Sequence, residues 1–315
     1  MSTVVIIGCG AMGSVYAGLM QSAGHEVHGV CLWPDHVDAV NRNGLRVMGA
    51  SGDRTVRLAS MSTSASQAPS NPDLIIIATK SFDVEAAAKT TGPLVGPNTV
   101  VQTIQNGLGA PDRVAAIIGG DRLAIGVVGG FGASVTTPGV AHHNGMEIVH
   151  FGAFSTLPYD ELDTSADIWR SSGFTTQLYA DTEQMVWEKF VMNAAFSGTT
   201  CLTGLTIGEV LGTASAWWVA RCCAEEAIAV ARAKGVTLDV GDPLQHVIAL
   251  GSTIPDARPS MLLDATLRRK CEVDAINGAV VTEGRKHGVP TPVNEAVANL
   301  IRARELTYLA NPQES

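Results

Sequence analysis

Val4-Val5-Ile6-Ile7 runs directly into Gly8-Cys9-Gly10-Ala11-Met12-Gly13, and a helical pattern over residues 13–23 follows at once. An apolar strand, a G-x-G-x-x-G turn and a helix in that order form the phosphate-binding unit of a dinucleotide fold. Each glycine has its own reason. Gly8 permits the tight turn, Gly10 lets a pyrophosphate approach the backbone, and Gly13 lets the helix pack closely on the strand. The helix start then offers free N–H groups and a partial positive charge to phosphates. A chance glycine-rich turn is the plain alternative, and the placement between strand and helix argues against it.

The alternation continues outward. Strand patterns at 26–31, 74–78, 99–103 and 123–128 alternate with helical patterns at 35–43, 82–91 and 111–118. That predicts βαβ units and a parallel sheet. Residues 140–143 and 147–151, separated by Asn144-Gly145-Met146, read as an antiparallel hairpin appended to the sheet. A helix at 161–171 and a strand at 175–179 follow. The Ser-, Ala- and Pro-rich segment 60–72 reads as a surface connection with room for a short helix. From Thr182 the patterns are helical, at 183–196, 215–234, 243–252, 261–287 and 292–310, with Gly235 and Gly288 placed as stops. The fold class expected is an α/β Rossmann-type dinucleotide-binding domain over 1–181 plus an all-α substrate and catalytic domain over 182–315.

Composition agrees with that size. The chain has 315 residues, 46% hydrophobic and 16% charged, enough for about two domains with large cores. Lys plus Arg total 21 against 30 Asp plus Glu, a net charge of −9, which argues against nucleic acid and anionic membranes as partners. Apolar runs such as 4–7 and 74–78 fall far short of the roughly 20 residues that span a bilayer. The N-terminus has no basic region before its apolar run, and glycines interrupt it, so it does not read as a secretory signal. Cys9, Cys31, Cys201, Cys222, Cys223 and Cys271 form no C-x-x-C pair. A zinc site is therefore not supported, and buried reduced thiols in a cytoplasmic protein without metal are expected.

Several polar residues interrupt this apolar texture. Lys80 follows the strand at 74–78, and Asn106, within Gln105-Asn106-Gly107-Leu108-Gly109, follows the strand at 99–103. Both lie at carboxyl ends of parallel strands, the edge where open α/β sheets bind ligands. A solvated lysine and an ordinary turn are the plain alternatives. Lys189, Asn193 and Ser197 stand at i, i+4 and i+8 on one face of an otherwise apolar helix. A lysine there is costly to bury unless paired or functional, and partial burial lowers its pKa towards the acid–base range. Snorkelling to the surface is the alternative. Ser260 opens the 261–287 pattern, and Glu272 and Asn277 interrupt it. Twelve residues of continuous helix span about 18 Å, so Ser260 and Glu272 are expected to serve separate roles. A carboxylate near Lys189 would hold it charged. There is no G-x-S-x-G, Walker or H-E-x-x-H motif, and His142-His143 reads as surface. The second strand ends in Cys31-Leu32-Trp33-Pro34-Asp35, with neither an acid nor an Arg at the strand end, so NAD and NADP both stay open. Trp33 either stacks on an adenine or packs on the surface.

The ordered set of motifs resembles the ketopantoate reductase family (2-dehydropantoate 2-reductases) over essentially the whole chain. It comprises Gly8-Cys9-Gly10-Ala11-Met12-Gly13-Ser14, Thr79-Lys80, Gln105-Asn106-Gly107 and Trp187-Glu188-Lys189 with Asn193. Arg258-Pro259-Ser260-Met261-Leu262-Leu263-Asp264 and Glu272-Val273-Asp274-Ala275-Ile276-Asn277-Gly278 complete it. The resemblance implies an active site in a cleft between the two domains, where a nicotinamide cofactor delivers hydride to the C2 ketone of a 2-oxo acid. It implies Lys189 as general acid and Glu272 as the residue that contacts the cofactor and organises the site. Asn106, Asn193 and Ser260 would hold the substrate. Ser197, which stands where the family often has a second Asn, is counted with them. Gly8, Cys9, Gly10, Ala11, Met12, Gly13, Lys80, Asn106 and Glu272 would meet the cofactor. NADP is the family default, and NAD stays open because Leu32-Trp33 replace the usual basic residue. The reaction implied is 2-dehydropantoate to D-pantoate. The alternatives are a D-2-hydroxyacid dehydrogenase for another branched or aromatic 2-oxo acid, and a non-catalytic dinucleotide sensor. The apolar C-terminal helices, with Trp217-Trp218, offer a homodimer face, with core packing the alternative.

Overall fold

Strands buried on both faces must be apolar throughout, and Leu74-Ile75-Ile76-Ile77 meets that demand with every side chain 0% exposed. In the computed structural model, which describes residues 1–130, 132–145 and 148–309, this strand lies inside a large sheet. The order of elements is β1 (Thr3–Ile7), α1 (Ala11–Ser22), β2 (Glu26–Val30), α2 (Pro34–Asn43), β3 (Leu45–Gly49), β4 (Arg54–Val56) and β5 (Ser60–Ser62). Then come β6 (Leu74–Ile77), α3 (Val84–Thr91), β7 (Val100–Thr103), α4 (Ala110–Ile118), β8 (Leu123–Gly129), β9 (Gly132–Thr137) and β10 (Val140–Gly145). β11 (Ile148–Ala153), α5 (Tyr159–Ser171) and β12 (Thr175–Tyr179) follow. The remainder is helical: α6 (Thr182–Thr203), α7 (Ile207–Gly212), α8 (Ala214–Lys234), α9 (Pro243–Thr253), α10 (Ser260–Thr266), α11 (Asn277–His287) and α12 (Pro292–Leu309). The Rossmann-type plus all-α reading is borne out. The chain divides into two compact units, Met1–Gln105 with Ala110–Thr182, and Asn106–Gly109 with the chain from Glu183 onward.

In the first unit the main sheet runs β12-β11-β8-β7-β6-β1-β2-β5. Its pairs are parallel except β8 with β11. Alternation along β1 feeds two cores, with Val4 and Ile6 on one face and Val5 and Ile7 on the other. Because β2 and β6 flank β1, the chain changes its direction of travel across the sheet there. The loop after β1 therefore opens at the switch point where such sheets bind ligands.

A second sheet, β4-β3-β10-β9, covers the far side of α1. A Cβ on Gly13 would overlap the Gly8 carbonyl oxygen and lie 3.3 Å from Ile6, and one on Gly18 would overlap Val47 of β3. With small residues on both faces, α1 is buried from Gly13 to Met20. This helix carries no amphipathic stripe because it has no wet side.

Four expectations need correction. Residues 140–151 do not form a hairpin. β10 pairs antiparallel with β9 and parallel with β3, whereas β11 joins β8 and β12 in the main sheet. The tight reversal is Pro138-Gly139, with Gly139 at φ +82°, and the Asn144-Gly145 signal marks only the end of β10. Met146 and Glu147 lie outside the described residues. His143 is not on the surface. Side chains alternate along β10, which leaves His142 exposed and His143 buried, and burial pushes the His143 pKa down. Segment 60–72 contains β5, which pairs with β2 and is followed by a 3-10 turn at Ala65–Gln67. The helix read over 261–287 is broken. Arg268 adopts φ +53°, and the Arg269 N–H bonds back to the Asp264 carbonyl at 2.8 Å, the way a glycine normally stops a helix. The 18 Å spacing of Ser260 from Glu272 therefore does not hold. The last helix was expected to reach Ala310, which lies outside the described residues.

In the second unit a buried polar network ties four helices. Asn277, 0% exposed, donates to the Ala194 carbonyl at 3.0 Å and to Asn294 Oδ1 at 2.9 Å. Asn294 in turn donates to Glu226 at 2.7 Å. The six cysteines are free, and all but Cys222 are buried. Among the described residues, no helix is long and apolar enough to cross a membrane.

Trp169 on α5 fills the core beneath this sheet. It is 0% exposed, meets the Tyr16 and Phe174 rings at 4.8 Å and donates its indole N–H to Gln102 at 3.0 Å. Trp169→Ala should remove about 3–5 kcal/mol of stability, read from urea denaturation. A loss under about 1 kcal/mol, an ordinary surface effect, would contradict this packing.

Candidate active site

The phosphate loop is built by close backbone approaches. Gly8 has φ +98°, and a Cβ there would stand 2.6 Å from the Thr79 backbone nitrogen. Gln105 reinforces the same edge, donating to the Ile77 and Thr79 carbonyls at 2.6 and 3.0 Å. The carboxyl ends of β1, β6 and β7 are thereby locked together, with partly buried Lys80 just beyond β6. Gly10 differs from its neighbours, since a Cβ there would meet nothing within 4 Å. It faces open space at the start of α1, which has no side-chain cap and no acid in its first turn. An uncapped helix start beside an open glycine fits a dinucleotide pyrophosphate. Cys9 serves through its backbone only. Its side chain is 0% exposed, its Sγ lies 3.6 Å from the Ile6 carbonyl, and burial pushes the thiol pKa up.

The loop has a support that sequence reasoning missed. Gly139 N–H donates to His36 Nδ1 at 3.0 Å, and His36 Nε2 lies 3.1 Å from Ser14 Oγ. Ser14 Oγ donates to the Cys9 carbonyl at 3.2 Å. With Nδ1 accepting, the network assigns the ring proton to Nε2, so His36 donates to Ser14. Burial lowers the His36 pKa and keeps the ring neutral. Trp33 stacks on it at 5.4 Å with 16° between the planes. A histidine in the first turn after an apolar strand was the available signal.

In the helical unit α6 is continuous, so Lys189, Asn193 and Ser197 share a face as their spacing requires. Lys189 and Asn193 are partly exposed and Ser197 is buried. Lys189 Nζ donates to Asn106 Oδ1 at 2.9 Å. Burial lowers the Lys189 pKa from 10.5 to about 8, and the carboxylate of Glu272 opposes that fall. Glu272 is 5% exposed and sits just before a 3-10 turn, Val273–Ala275. Two residues far apart in sequence, Asn106 and Glu272, thus act on the one ammonium of Lys189. Ser260 is the first residue of α10 and is partly buried. Lys80 and the glycine loop belong to the sheet unit.

A parallel sheet with an open phosphate loop at its switch point, together with a desolvated lysine in a helical unit, defines a dinucleotide-dependent oxidoreductase. The comparisons agree. The family model for ketopantoate reductase PanE/ApbA matches residues 4–156, and the model for its C-terminal part matches 181–305. The chain belongs to the ketopantoate reductase family. The 2-dehydropantoate 2-reductase of Archaeoglobus fulgidus is 29% identical over 302 residues, covering 96% of this chain and 97% of that one. The structure of a PanE/ApbA family ketopantoate reductase from Ralstonia eutropha is similar with a TM-score of 0.89 and 28% identity, covering 98% of this chain and 99% of that one. A D-mandelate dehydrogenase, solved with NADH and anilino(oxo)acetate, is similar with a TM-score of 0.88 and 25% identity, again covering 98% and 99%. This membership makes the protein an NAD(P)-dependent 2-oxo acid reductase.

Two glycine variants separate the loop's tasks. Gly10→Ala should leave the melting temperature of the unliganded protein unchanged. It should weaken dinucleotide binding at least tenfold by calorimetry, about 1.4 kcal/mol. Gly13→Ala should instead destabilise the unliganded protein by about 1–3 kcal/mol, the usual cost of overpacking. Wild-type dinucleotide affinity in Gly10→Ala would contradict this division.

Proposed function

We propose that this protein reduces 2-dehydropantoate to D-pantoate, with Lys189 as the general acid. The carrying observation is the Lys189 ammonium, desolvated, bonded to Asn106 and influenced by Glu272. The glycine loop would hold the pyrophosphate of a nicotinamide dinucleotide, which when bound would supply a hydride to C2. Negative charge then grows on the substrate oxygen, and Lys189 donates a hydrogen bond to it and then a proton. A pKa of about 8 leaves the lysine protonated at neutral pH yet ready to lose its proton. Glu272 holds it charged between turnovers. Asn106 accepts one N–H of the ammonium. Asn193, Ser197 and Ser260 hold the substrate's carboxylate and hydroxyl. Lys80, Asn106 and Glu272 join the loop residues Gly8 to Gly13 in holding the cofactor. Residues 1–181 serve the nucleotide and 182–315 the substrate, with the Asn106 loop assisting the latter. NADPH is the cofactor by family default. The free thiols support a cytoplasmic setting. Trp218 on α8, 54% exposed, supports a homodimer through the C-terminal helices.

A second reading is an NADH-dependent reductase of an aromatic 2-oxo acid. Leu32 and Trp33 at the end of β2 are 85% and 40% exposed and offer no cation to a 2′-phosphate. The likeness to D-mandelate dehydrogenase supports it further. NADPH and NADH consumption with ketopantoate, and then with branched and aromatic 2-oxo acids, separates the two. Fastest turnover of ketopantoate with NADPH is expected. Turnover confined to an aromatic acid with NADH would establish the second reading, and none with any 2-oxo acid would defeat both.

The pH dependence has a definite sign. Reduction needs the protonated lysine, so kcat/KM should be level below pH 8 and fall as pH rises through about 8. The reverse oxidation needs the neutral amine and should rise over the same range. Lys189→Ala should cost about 10²–10⁴-fold in turnover. Wild-type turnover in that variant would remove Lys189 from the mechanism.

A further inference from the structure

We infer that Gly107 and the Ala275 carbonyl form a latch that positions Asn106 against Lys189. This rests on the acid role proposed for Lys189. Gly107 has φ +87°, and a Cβ there would overlap the Ala275 carbonyl oxygen and lie 2.6 Å from its carbon. The next N–H, that of Leu108, donates to the same oxygen at 2.9 Å, and the Leu108 side chain packs on the helical core. The loop backbone therefore lies directly on Ala275, an approach that only glycine permits. Ala275 closes the 3-10 turn that starts just after Glu272, and its own N–H bonds to the Glu272 carbonyl at 3.0 Å. One short segment thus carries both the carboxylate that acts on Lys189 and the carbonyl that seats Asn106. Residues 106–109 lie between β7 and α4 in sequence, yet they group with the helical unit. The latch accounts for that placement.

Gly109 separates this role from ordinary turn strain. It has φ +84°, much like Gly107, but a Cβ there would meet nothing within 4 Å. Gly109→Ala carries the left-handed penalty without the clash. Gly107 is a positioning residue, because it acts through Asn106.

The test uses the full unliganded chain, so it does not depend on which 2-oxo acid is the substrate. Lys189 is labelled with acetic anhydride across a pH series, and the labelled peptide is quantified by mass spectrometry. Loss of a hydrogen bond to the ammonium lowers the lysine's pKa, so Gly107→Ala and Asn106→Ala should both move the labelling midpoint down. The double variant should move it no further than Asn106→Ala alone, and Gly109→Ala should match wild type. A wild-type midpoint in Gly107→Ala, or additive shifts in the double variant, would overturn the latch. Ala275→Gly adds no atoms and loosens the same carbonyl. It should shift the midpoint in the same direction if Gly107→Ala does not fold, and no shift there would equally overturn the proposal. Absence of turnover with every 2-oxo acid would overturn the function while leaving this result standing.

Discussion

An ammonium withdrawn from water needs compensation, and the active-site half of this protein is arranged around one such group. Lys189 sits in the first half of a 22-residue helix among Trp187, Phe190 and Val191 of the helical core. Desolvation lowers its pKa. Asn106 and Glu272 counter that, one as a hydrogen-bond acceptor and one as a charge. The result is an ammonium held between two tendencies, which suits the proton donation proposed for it. Neither partner comes from the lysine's own helix. The break after α10 leaves Glu272 just ahead of a 3-10 turn, and the loop after β7 delivers Asn106.

The sheet unit follows a different constraint, the absence of space. Gly8 lies against Thr79, Gly13 against the Gly8 carbonyl and Gly18 against Val47. Each contact removes a side chain so that backbone can approach backbone or neighbouring side chain. Only Gly10 in the motif opens outward, and that single opening lies where a pyrophosphate would enter. The Gly139–His36–Ser14–Cys9 relay then fixes the loop from behind with directed hydrogen bonds among buried groups. Buried polar groups satisfied in this way add rigidity rather than cost.

Legibility in the sequence followed the range of the interaction. The glycine loop could be read because each glycine's task is set within a few residues of strand or helix. Lys189 stood out because a cation on an apolar helix contradicts its surroundings. Its partner Asn106, 83 residues away, had no local signal of that contact, although its strand-end position marked it. The failures share a cause. The Asn144-Gly145 pair carries a hairpin signal, but β10 and β11 belong to different sheets, a matter of long-range register. The 261–287 helix pattern has no glycine at its break because Arg268 takes the left-handed position. β3 alternates only over Leu45-Arg46-Val47 and β4 has three residues, so period-two alternation is too brief to see. The partner of His36 lies 103 residues later, at Gly139, beyond the reach of any local pattern.

The proposed chemistry turns on the protonation of one side chain, and nuclear magnetic resonance can observe it directly. The ¹³Cε resonance of Lys189, assigned by its loss in Lys189→Arg, can be followed across pH in the unliganded protein. A midpoint near 8 is predicted. A midpoint near 10.5, the value of an ordinary solvated lysine, would contradict the desolvated acid on which the mechanism depends.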